Sequence, residues 1–357
     1  MAGRAVFHPL RVASLDALTD DAIAITLDVP DELRDEYAFV HGQHVAICAS
    51  EVGDGVRRSY SICAPAGSGV LRVAVKRLEG GALSTYLHER LRPGDVLDVM
   101  TPSGRFSTRL DPGHEKDYVA IAAGSGITPV ISIVATALAV EPRSRVTLVY
   151  GNRATRSIMF LDELADLKDR YLERLALYHV LSREPNEIEL LHGRIDGAKL
   201  REFCTTLLDP RDVDEWFLCG PEAMLDELRD ILLDIGVERA RVHRELFFAG
   251  PVPSANGARA TADGASAQVT ILLDGRASSF EMPRHGVSIL DAAVQVRNDA
   301  PYACKSGMCG TCRARVLEGD VTLDRAYALE EHERAGGIIL ACQAHPVTDT
   351  VRIDFDA

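Results

Sequence analysis

Several things are scarce in this 357-residue chain. It holds one Trp, and aromatic residues make up only 6%. No run of about eighteen apolar residues occurs, so no membrane-spanning helix is expected. The opening stretch, MAGRAVFHPLRVASL, has neither a long apolar core nor a clear cleavage site. A secretory signal is therefore not expected, and a cytoplasmic location is. Positive charge is short: 39 Lys and Arg stand against 53 Asp and Glu, for a formal net charge of −14. With no basic block to offset that field, a nucleic-acid partner is not expected. Repeats of 20 to 50 residues are absent. So are the H-x-x-H and H-E-x-x-H metal spacings, and His41, His44 and His192 read as ordinary polar or loop residues.

What is present begins with size. Hydrophobic residues reach 46%, and the length exceeds one core, which points to two or three domains. Residues 249–267, AGPVPSANGARATADGASA, offer almost nothing to bury and read as a flexible linker. A second division falls near residues 111 to 117, DPGHEKD. Before it, short apolar stretches such as AIAITLDV, HVAICA and LRVAVKRL alternate with turns, and LSTYLHERL (83–91) reads as a short helix. Residues 1–111 are thus expected to form an antiparallel β-barrel. Over 112–248, near-continuous apolar strands (DYVAIAAG, RVTLVYG, LALYHVLS, EWFLCG) alternate with helical stretches, including SIMFLDELADLKDRY. That alternation is the mark of a parallel sheet covered on both faces, an α/β domain. Residues 268–357 open with a plausible hairpin, QVTILLDG and RASSFEMP, followed by a helix at SILDAAVQV. An α+β domain is expected there.

Eight cysteines are present. Cys48, Cys63, Cys204 and Cys219 are scattered, while Cys304, Cys309 and Cys312 fall in CKSGMCGTC, with Cys342 in LACQAHP. A reduced protein with one metal site fits this pattern better than a disulfide framework. C-x4-C-x2-C with a distant fourth Cys is a [2Fe–2S] spacing, each iron taking two thiolates. Gly307 and Gly310 let the backbone approach the cluster and aim amides at its charge. A structural zinc site is the alternative reading of the same four thiols.

A [2Fe–2S] centre carries one electron, and a hydride donor delivers two. A flavin between them would convert one into the other. RRSYSI (57–62) is a candidate flavin strand, with Arg58 and Tyr60 on one side for phosphate and ring. GGALSTYL (80–87) places glycines ahead of a helix start, where amides and Ser84 could receive pyrophosphate. GSGITP (124–129) follows an apolar strand and opens a helix, a phosphate-cradling location that departs from G-x-G-x-x-G. YGNRATRS carries Arg153 and Arg156 at a strand end with no acidic residue in the stretch, which fits the 2′-phosphate of NADPH. LCGPEAM (218–224) ends another strand at the ligand-binding edge.

Together, RRSYSI, GGALS, GSGITP, YGNR and CGPEAM resemble the ferredoxin–NADP reductase family, and CKSGMCGTC with LACQ is similar to a fused plant-type ferredoxin. The domain order resembles reductase components of bacterial oxygenases. CKSGMCGTCRARVLEGDV, ALEEHERAGGIILACQAHPVTDTVRIDFD and YGNRATRSIMFLDEL are similar to segments of reductases serving ring-epoxidising oxygenases. The chain is also similar to reductases of steroid hydroxylases. The resemblance implies an FAD-binding barrel, a nicotinamide-binding α/β domain and a β-grasp ferredoxin domain. It implies that Arg58, Tyr60 and Ser61 contact FAD, with backbone contacts at Val73 and Val75 and pyrophosphate held by Gly81, Ala82 and Ser84. Gly124, Gly126, Thr128, Arg153, Cys219 and Gly220 would line the nucleotide site, with Arg156 beside it. Glu245 and Phe247, in HRELFF, would lie near the flavin. Ser61, Cys219 and Glu245 are the implied catalytic set. Electrons would run from NADPH through FAD and the [2Fe–2S] cluster to a separate di-iron oxygenase. A stand-alone flavin oxidoreductase with no oxygenase partner is the other enzymatic reading.

Overall fold

The computed structural model describes residues 6–53, 56–247, 265–297 and 299–357. Most of the expected linker, residues 249–264, lies outside them. Its last two residues, Ser266 and Ala267, already belong to a strand, so the linker ends earlier than the composition implies. Among the described residues, 6–53, 56 and 60–247 form one compact unit, and 57–59 with 265–357 form the other. No helix among them is long and apolar enough to cross a membrane.

The first part of the larger unit is built on six antiparallel strands. These are β1 (Phe7–Thr19), β2 (Ala22–Asp28), β3 (His44–Cys48), β4 (Arg57–Ser61), β5 (Leu71–Lys76) and β6 (Val96–Met100), in the order β4-β3-β6-β1-β2-β5. The short helix is α1 (Ala82–Glu89), capped by Gly81. Alternating apolar residues of the strands, among them Leu10, Ile25, Ile47 and Val73, meet Leu83 and Leu87 of α1 in one core.

The second part is a parallel five-stranded sheet: β7 (Asp117–Ala123), β8 (Arg145–Asn152), β9 (Leu175–Leu181), β10 (Glu215–Gly220) and β11 (Val242–Leu246), in the order β11-β10-β7-β8-β9. The helices are α2 (Ile127–Val140), α3 (Leu161–Arg170), α4 (Gly197–Thr206) and α5 (Glu222–Asp234). Tyr150, Phe217 and Cys219 pack toward α2 and α3, whereas Trp216, Leu218 and Val149 pack toward α4 and α5. Strands buried on both faces account for the continuous apolar runs. Two details differ from expectation. The helix expected from Ser157 begins only at Leu161, because Phe160 adopts a left-handed conformation (φ 60°) with its ring buried. And α4 has a weak apolar pattern, although Asp196 caps it by accepting from the Lys199 amide at 2.9 Å.

α2 also faces the first part. Ser132 Oγ donates to the Ala64 carbonyl at 2.7 Å, and the Ala66 amide donates to Thr136 Oγ1 at 2.9 Å. Arg72 of β5 reaches both carboxylate oxygens of Glu163 in the first turn of α3, at 3.0 and 2.8 Å.

The smaller unit holds β12 (Ser266–Leu273), β13 (Arg276–Pro283), α6 (Ile289–Val296), β14 (Arg313–Glu318), β15 (Val321–Leu323), α7 (Glu331–Ala335), β16 (Ile338–Leu340), β17 (Ala344–Pro346) and β18 (Thr350–Asp354). β12 and β13 pair as the expected hairpin, inside a mixed sheet of order β13-β12-β18-β14-β16. Ser288 caps α6, whose Ile289, Leu290 and Ala293 enter the core with Cys312 and Cys342.

Glu141, at the end of α2, has a side chain with no exposure. Its carboxylate accepts from the Asp111 amide (3.0 Å), Tyr118 Oη (2.8 Å) and Ser144 Oγ (2.7 Å), and pairs with His114 Nδ1 at 2.8 Å. Burial alone would raise its pKa. The donors outweigh burial and hold the carboxyl below its ordinary range. The stabilisation is therefore complete above pH 4.5 and is lost as pH falls through the folded value. Glu141→Gln, which loses one acceptor, is expected to destabilise the chain by about 1–3 kcal/mol at neutral pH. Denaturant unfolding checks this, and the difference from wild type should shrink on acidification.

Candidate functional site

The carboxyl ends of β10 and β11 lie beside the turn between β7 and α2. In that turn Gly124 takes φ +55°, and its carbonyl accepts from Tyr150 Oη at 2.9 Å. Gly126 lies so close to β10 that a Cβ there would fall 2.3 Å from the Cys219 carbonyl oxygen. Thr128 Oγ1 donates to the Ser125 carbonyl at 3.0 Å and is buried, so its hydroxyl holds the turn rather than facing outward.

Cys219 stands opposite Glu245 in the β10–β11 register, and Gly220 opposite Leu246. Ser61, at the end of β4 and buried, donates from Oγ to Glu245 Oε2 at 3.2 Å. Ser61, Cys219 and Glu245 are thus brought to one place, where the first part's strand meets the parallel sheet. The next backbone bond, from the Phe247 amide to the Gly220 carbonyl (3.4 Å), keeps Phe247 at the same edge. Burial pushes the Glu245 carboxyl up to about 7, against the opposing influence of His44 and the Ser61 hydrogen bond. Burial first, and Glu245 second, push the Cys219 thiol well up. The ordinary reading of His44 needs correction. It is buried, its Nε2 lies 3.3 Å from Ser103 Oγ, and it acts electrostatically on Glu245. No local spacing signals this, because the two residues are two hundred positions apart.

The remaining expected flavin residues fall on two edges. Arg58 is exposed and donates to the Arg57 carbonyl at 2.7 Å, while Tyr60 is partly buried against the first core. Val73 and Val75 turn their side chains into that core, which leaves only backbone to meet a ligand. At the start of α1, Ser84 Oγ donates to the Gly81 carbonyl (3.1 Å) and accepts from the Leu78 amide (3.2 Å). Its hydroxyl is engaged inside the turn. The first-turn amides from Ala82 onward lack helical partners and remain the donors of that loop.

Arg153 and Arg156 follow β8 and are exposed. The Arg183 amide donates to the Arg153 carbonyl at 2.8 Å, which brings a third arginine to this corner. The YGNRATRS stretch itself carries no acidic residue, as expected, but Glu184 comes to it from the end of the neighbouring strand. The Glu184 carboxylate accepts from the Thr155 amide at 2.9 Å and from Thr155 Oγ1 at 2.7 Å. Those two bonds lower its pKa, so it is an anion already paired with the loop. The signal lay in SRE (182–184), at the end of the next strand rather than this one.

In the smaller unit the four expected cysteines lie near one another. The neighbouring Cys309 raises the Cys304 thiol well above its ordinary pKa, and Cys304 in turn lowers the Cys309 thiol to about 6. Cys342, burial and Cys309 together raise the Cys312 thiol. The amides of Ser306 and Cys309 both point at Cys304 Sγ, at 3.4 Å each. Among the described residues no three or more His, Cys, Asp or Glu side chains gather round a single ion position. Four neighbouring thiols without a single-ion focus fit a group with two metal atoms, each taking two thiolates.

These features define a pyridine-nucleotide and flavin oxidoreductase that passes electrons on to a fused [2Fe–2S] domain. Comparison with known proteins agrees. The description "Oxidoreductase FAD-binding domain" matches residues 9–108, "Oxidoreductase NAD-binding domain" matches 120–230, and "2Fe-2S iron-sulfur cluster binding domain" matches 271–347. The chain belongs to the ferredoxin–NADP reductase family, in the branch with a fused ferredoxin domain. It is 44% identical to one of the component chains of the 1,2-phenylacetyl-CoA epoxidase of Escherichia coli (strain K12), over 98% of both chains. It is 34% identical to the ferredoxin reductase component of 3-ketosteroid-9-alpha-monooxygenase of Rhodococcus rhodochrous, over 97% of this chain and 96% of that one. Among solved structures, phthalate dioxygenase reductase shares the fold over 98% of both chains, with a TM-score of 0.59 at 23% identity.

Gly126→Ala tests the closeness of the nucleotide turn to β10. The added methyl must displace the Cys219 carbonyl, at a cost of about 1–3 kcal/mol in stability. Flavin bleaching by NADPH is expected to slow while bound flavin content stays at the wild-type level; an unchanged bleaching rate would show that the turn can shift freely.

Proposed function

We propose that this chain draws electrons from NADPH and supplies them to a separate di-iron oxygenase, the phenylacetyl-CoA epoxidase that its 44%-identical relative is named for. The observation that carries the reading is the meeting of Ser61, Cys219 and Glu245, with Ser61 and Glu245 3.2 Å apart. It joins a flavin strand to a nicotinamide sheet at the edge where open sheets bind ligands. FAD, when bound, would supply the conversion of a two-electron hydride donor into the single electrons that a [2Fe–2S] cluster carries.

The residues around it have separable tasks. Arg58 and the amides at the start of α1 would hold the phosphates of FAD, and Tyr60 would contact its ring. Gly124 and Gly126 admit the nucleotide's pyrophosphate. Cys219 and Gly220 bound the nicotinamide pocket, and Phe247 borders the same edge. Ser61 and Glu245 hold a proton at the carboxyl, whose pKa of about 7 lets it exchange near neutral pH. Arg153, Arg156 and Arg183 favour the 2′-phosphate of NADPH, since the nearby carboxylate of Glu184 is occupied by Thr155. Cys304, Cys309, Cys312 and Cys342 would hold the two irons. The C-x4-C-x2-C spacing with a distant fourth Cys supports this over a single zinc ion. A closed barrel for the first part is supported by the bridge between Ile62 and Val73, which links the two edges of its sheet. A β-grasp ferredoxin domain and a cytoplasmic location complete the proposal, and the net charge of −14 argues against a nucleic-acid partner.

Purified protein with flavin, iron and sulfide quantified should lose both flavin and cluster absorption on anaerobic titration with NADPH. Arg153→Ala and Arg183→Ala should each lower kcat/KM for NADPH by about tenfold or more while leaving NADH little changed, as expected for charge-assisted phosphate contacts. Preference for NADH in the wild type would overturn that assignment. Combined with the oxygenase components, the protein should support epoxidation of phenylacetyl-CoA and form no product alone; equal support of a steroid hydroxylase would sink the substrate assignment.

Glu245→Gln separates proton handling from architecture. In the wild type the rate of flavin reduction should change through pH 7, and the variant should lose that step. A pH profile that survives the substitution would remove Glu245 from the proposed set.

A further inference from the structure

The two cysteine segments of the smaller unit are far apart in sequence, with twenty-nine residues between Cys312 and Cys342. A two-iron group tolerates little error in the spacing of its thiol pairs, so something must fix one segment against the other. Backbone bonding does part of this: the Ala341 amide donates to the Cys312 carbonyl at 3.0 Å. That bond anchors the Cys312 end of the loop and leaves the Cys304 end to be held by something else.

Gln343 is placed to do it. Its Nε2 donates to the Lys305 carbonyl at 3.0 Å and to the Cys342 carbonyl at 2.9 Å. Both partners are pure acceptors, so the amide nitrogen, with its two hydrogens, is the only end of the side chain that fits there. The main chain of Gln343 is held independently, its carbonyl accepting from the Asp324 amide at 3.0 Å. The loop is shaped to receive the side chain. Lys305 takes a left-handed conformation (φ 52°), which few non-glycine residues adopt, and its Nζ is tied to Asp291 of α6 at 2.8 Å. Gly307, at φ +78°, leaves room where a Cβ would come 3.1 Å from Gln343 Cγ.

We propose that Gln343 is a positioning residue for the iron-sulfur group, clasping the segment of Cys342 to the loop of Cys304 and Cys309 through its amide. The proposal rests on the reading of the four cysteines as cluster ligands. It assigns to a neutral residue, which touches no metal, the task of setting the distance between the two thiol pairs. Outer partners of this kind change metal retention by about 10–100-fold when removed.

The test uses the full-length holoprotein with two substitutions of similar volume. Gln343→Met fills the same space and donates nothing. Gln343→Glu sets a carboxylate against two carbonyls. Iron release to a chelator should be about 10–100-fold faster in both. The electron paramagnetic resonance spectrum of the dithionite-reduced cluster should change its g-values. Flavin content and the rate of flavin bleaching by NADPH should match wild type, which places the defect in the smaller unit. Recovery of Gln343→Met with flavin and no iron would support the proposal equally. Wild-type release and an unchanged spectrum in Gln343→Met would overturn it, because packing alone would then suffice. Absence of iron and sulfide from the wild-type protein is a separate outcome, and it would fail the ligand assignment itself.

Discussion

The nucleotide end of the larger unit depends on a carboxyl group that has been carried indoors. Glu245 ends the outermost strand of the parallel sheet, stands in register with Cys219, and is reached by one hydroxyl, that of Ser61. Strand β4 must approach within hydrogen-bonding distance of β11 for this contact to exist. That requires the antiparallel and parallel parts to pack closely, as α2 does through Ser132 and Thr136, and as Arg72 does through Glu163. The Arg72–Glu163 pair is half in solvent and contributes about 0–1 kcal/mol. Its value is directional, since it fixes how α3 meets β5.

A comparison with Glu141 shows what sets the state of a buried carboxyl. Both residues are pushed upward by burial. Glu141 has an amide, two hydroxyls and an imidazole around it and falls below its ordinary pKa. Glu245 has one hydroxyl and a more distant imidazole, and rises to about 7. The number of donors supplied by the fold, rather than residue type or depth, separates a permanently charged structural anchor from a group able to exchange a proton near neutrality. The anchor sits where the chain crosses from one part to the next. The exchangeable group sits where the nucleotide is expected.

Features carried by contiguous residues were legible in the sequence. The strands and helices around β7, α2 and β10, the hairpin of β12 and β13, and the four cysteines follow from periodicity and spacing. What could not be read depends on chain segments that only folding brings together. Glu184 reaches Thr155 from the end of the neighbouring strand, twenty-nine positions away. The influence of His44 on Glu245 crosses two hundred residues. The late start of α3 comes from packing: the buried Phe160 ring sets a left-handed backbone that helix periodicity cannot foresee. Ser84 shows the opposite limit. Its position at a helix start was read correctly, but its hydroxyl bonds the Gly81 carbonyl and the Leu78 amide within that turn of chain.

The same division between local and long-range determinants runs through the smaller unit. CKSGMCGTC contains its own geometry, since Lys305, Gly307 and Gly310 all take positive φ and aim the amides of Ser306 and Cys309 at Cys304. A positive φ is unfavourable for Lys305, which Asp291 and Gln343 hold from two other elements. Cys342 has no such local loop. Its place is set by the β16 strand before it, by the Cys312 carbonyl and by the amide of the residue that follows. A site whose two halves are specified so differently needs a direct tie between them, and the hydrogen bonds of Gln343 to backbone carbonyls provide one that engages none of the four cysteine side chains.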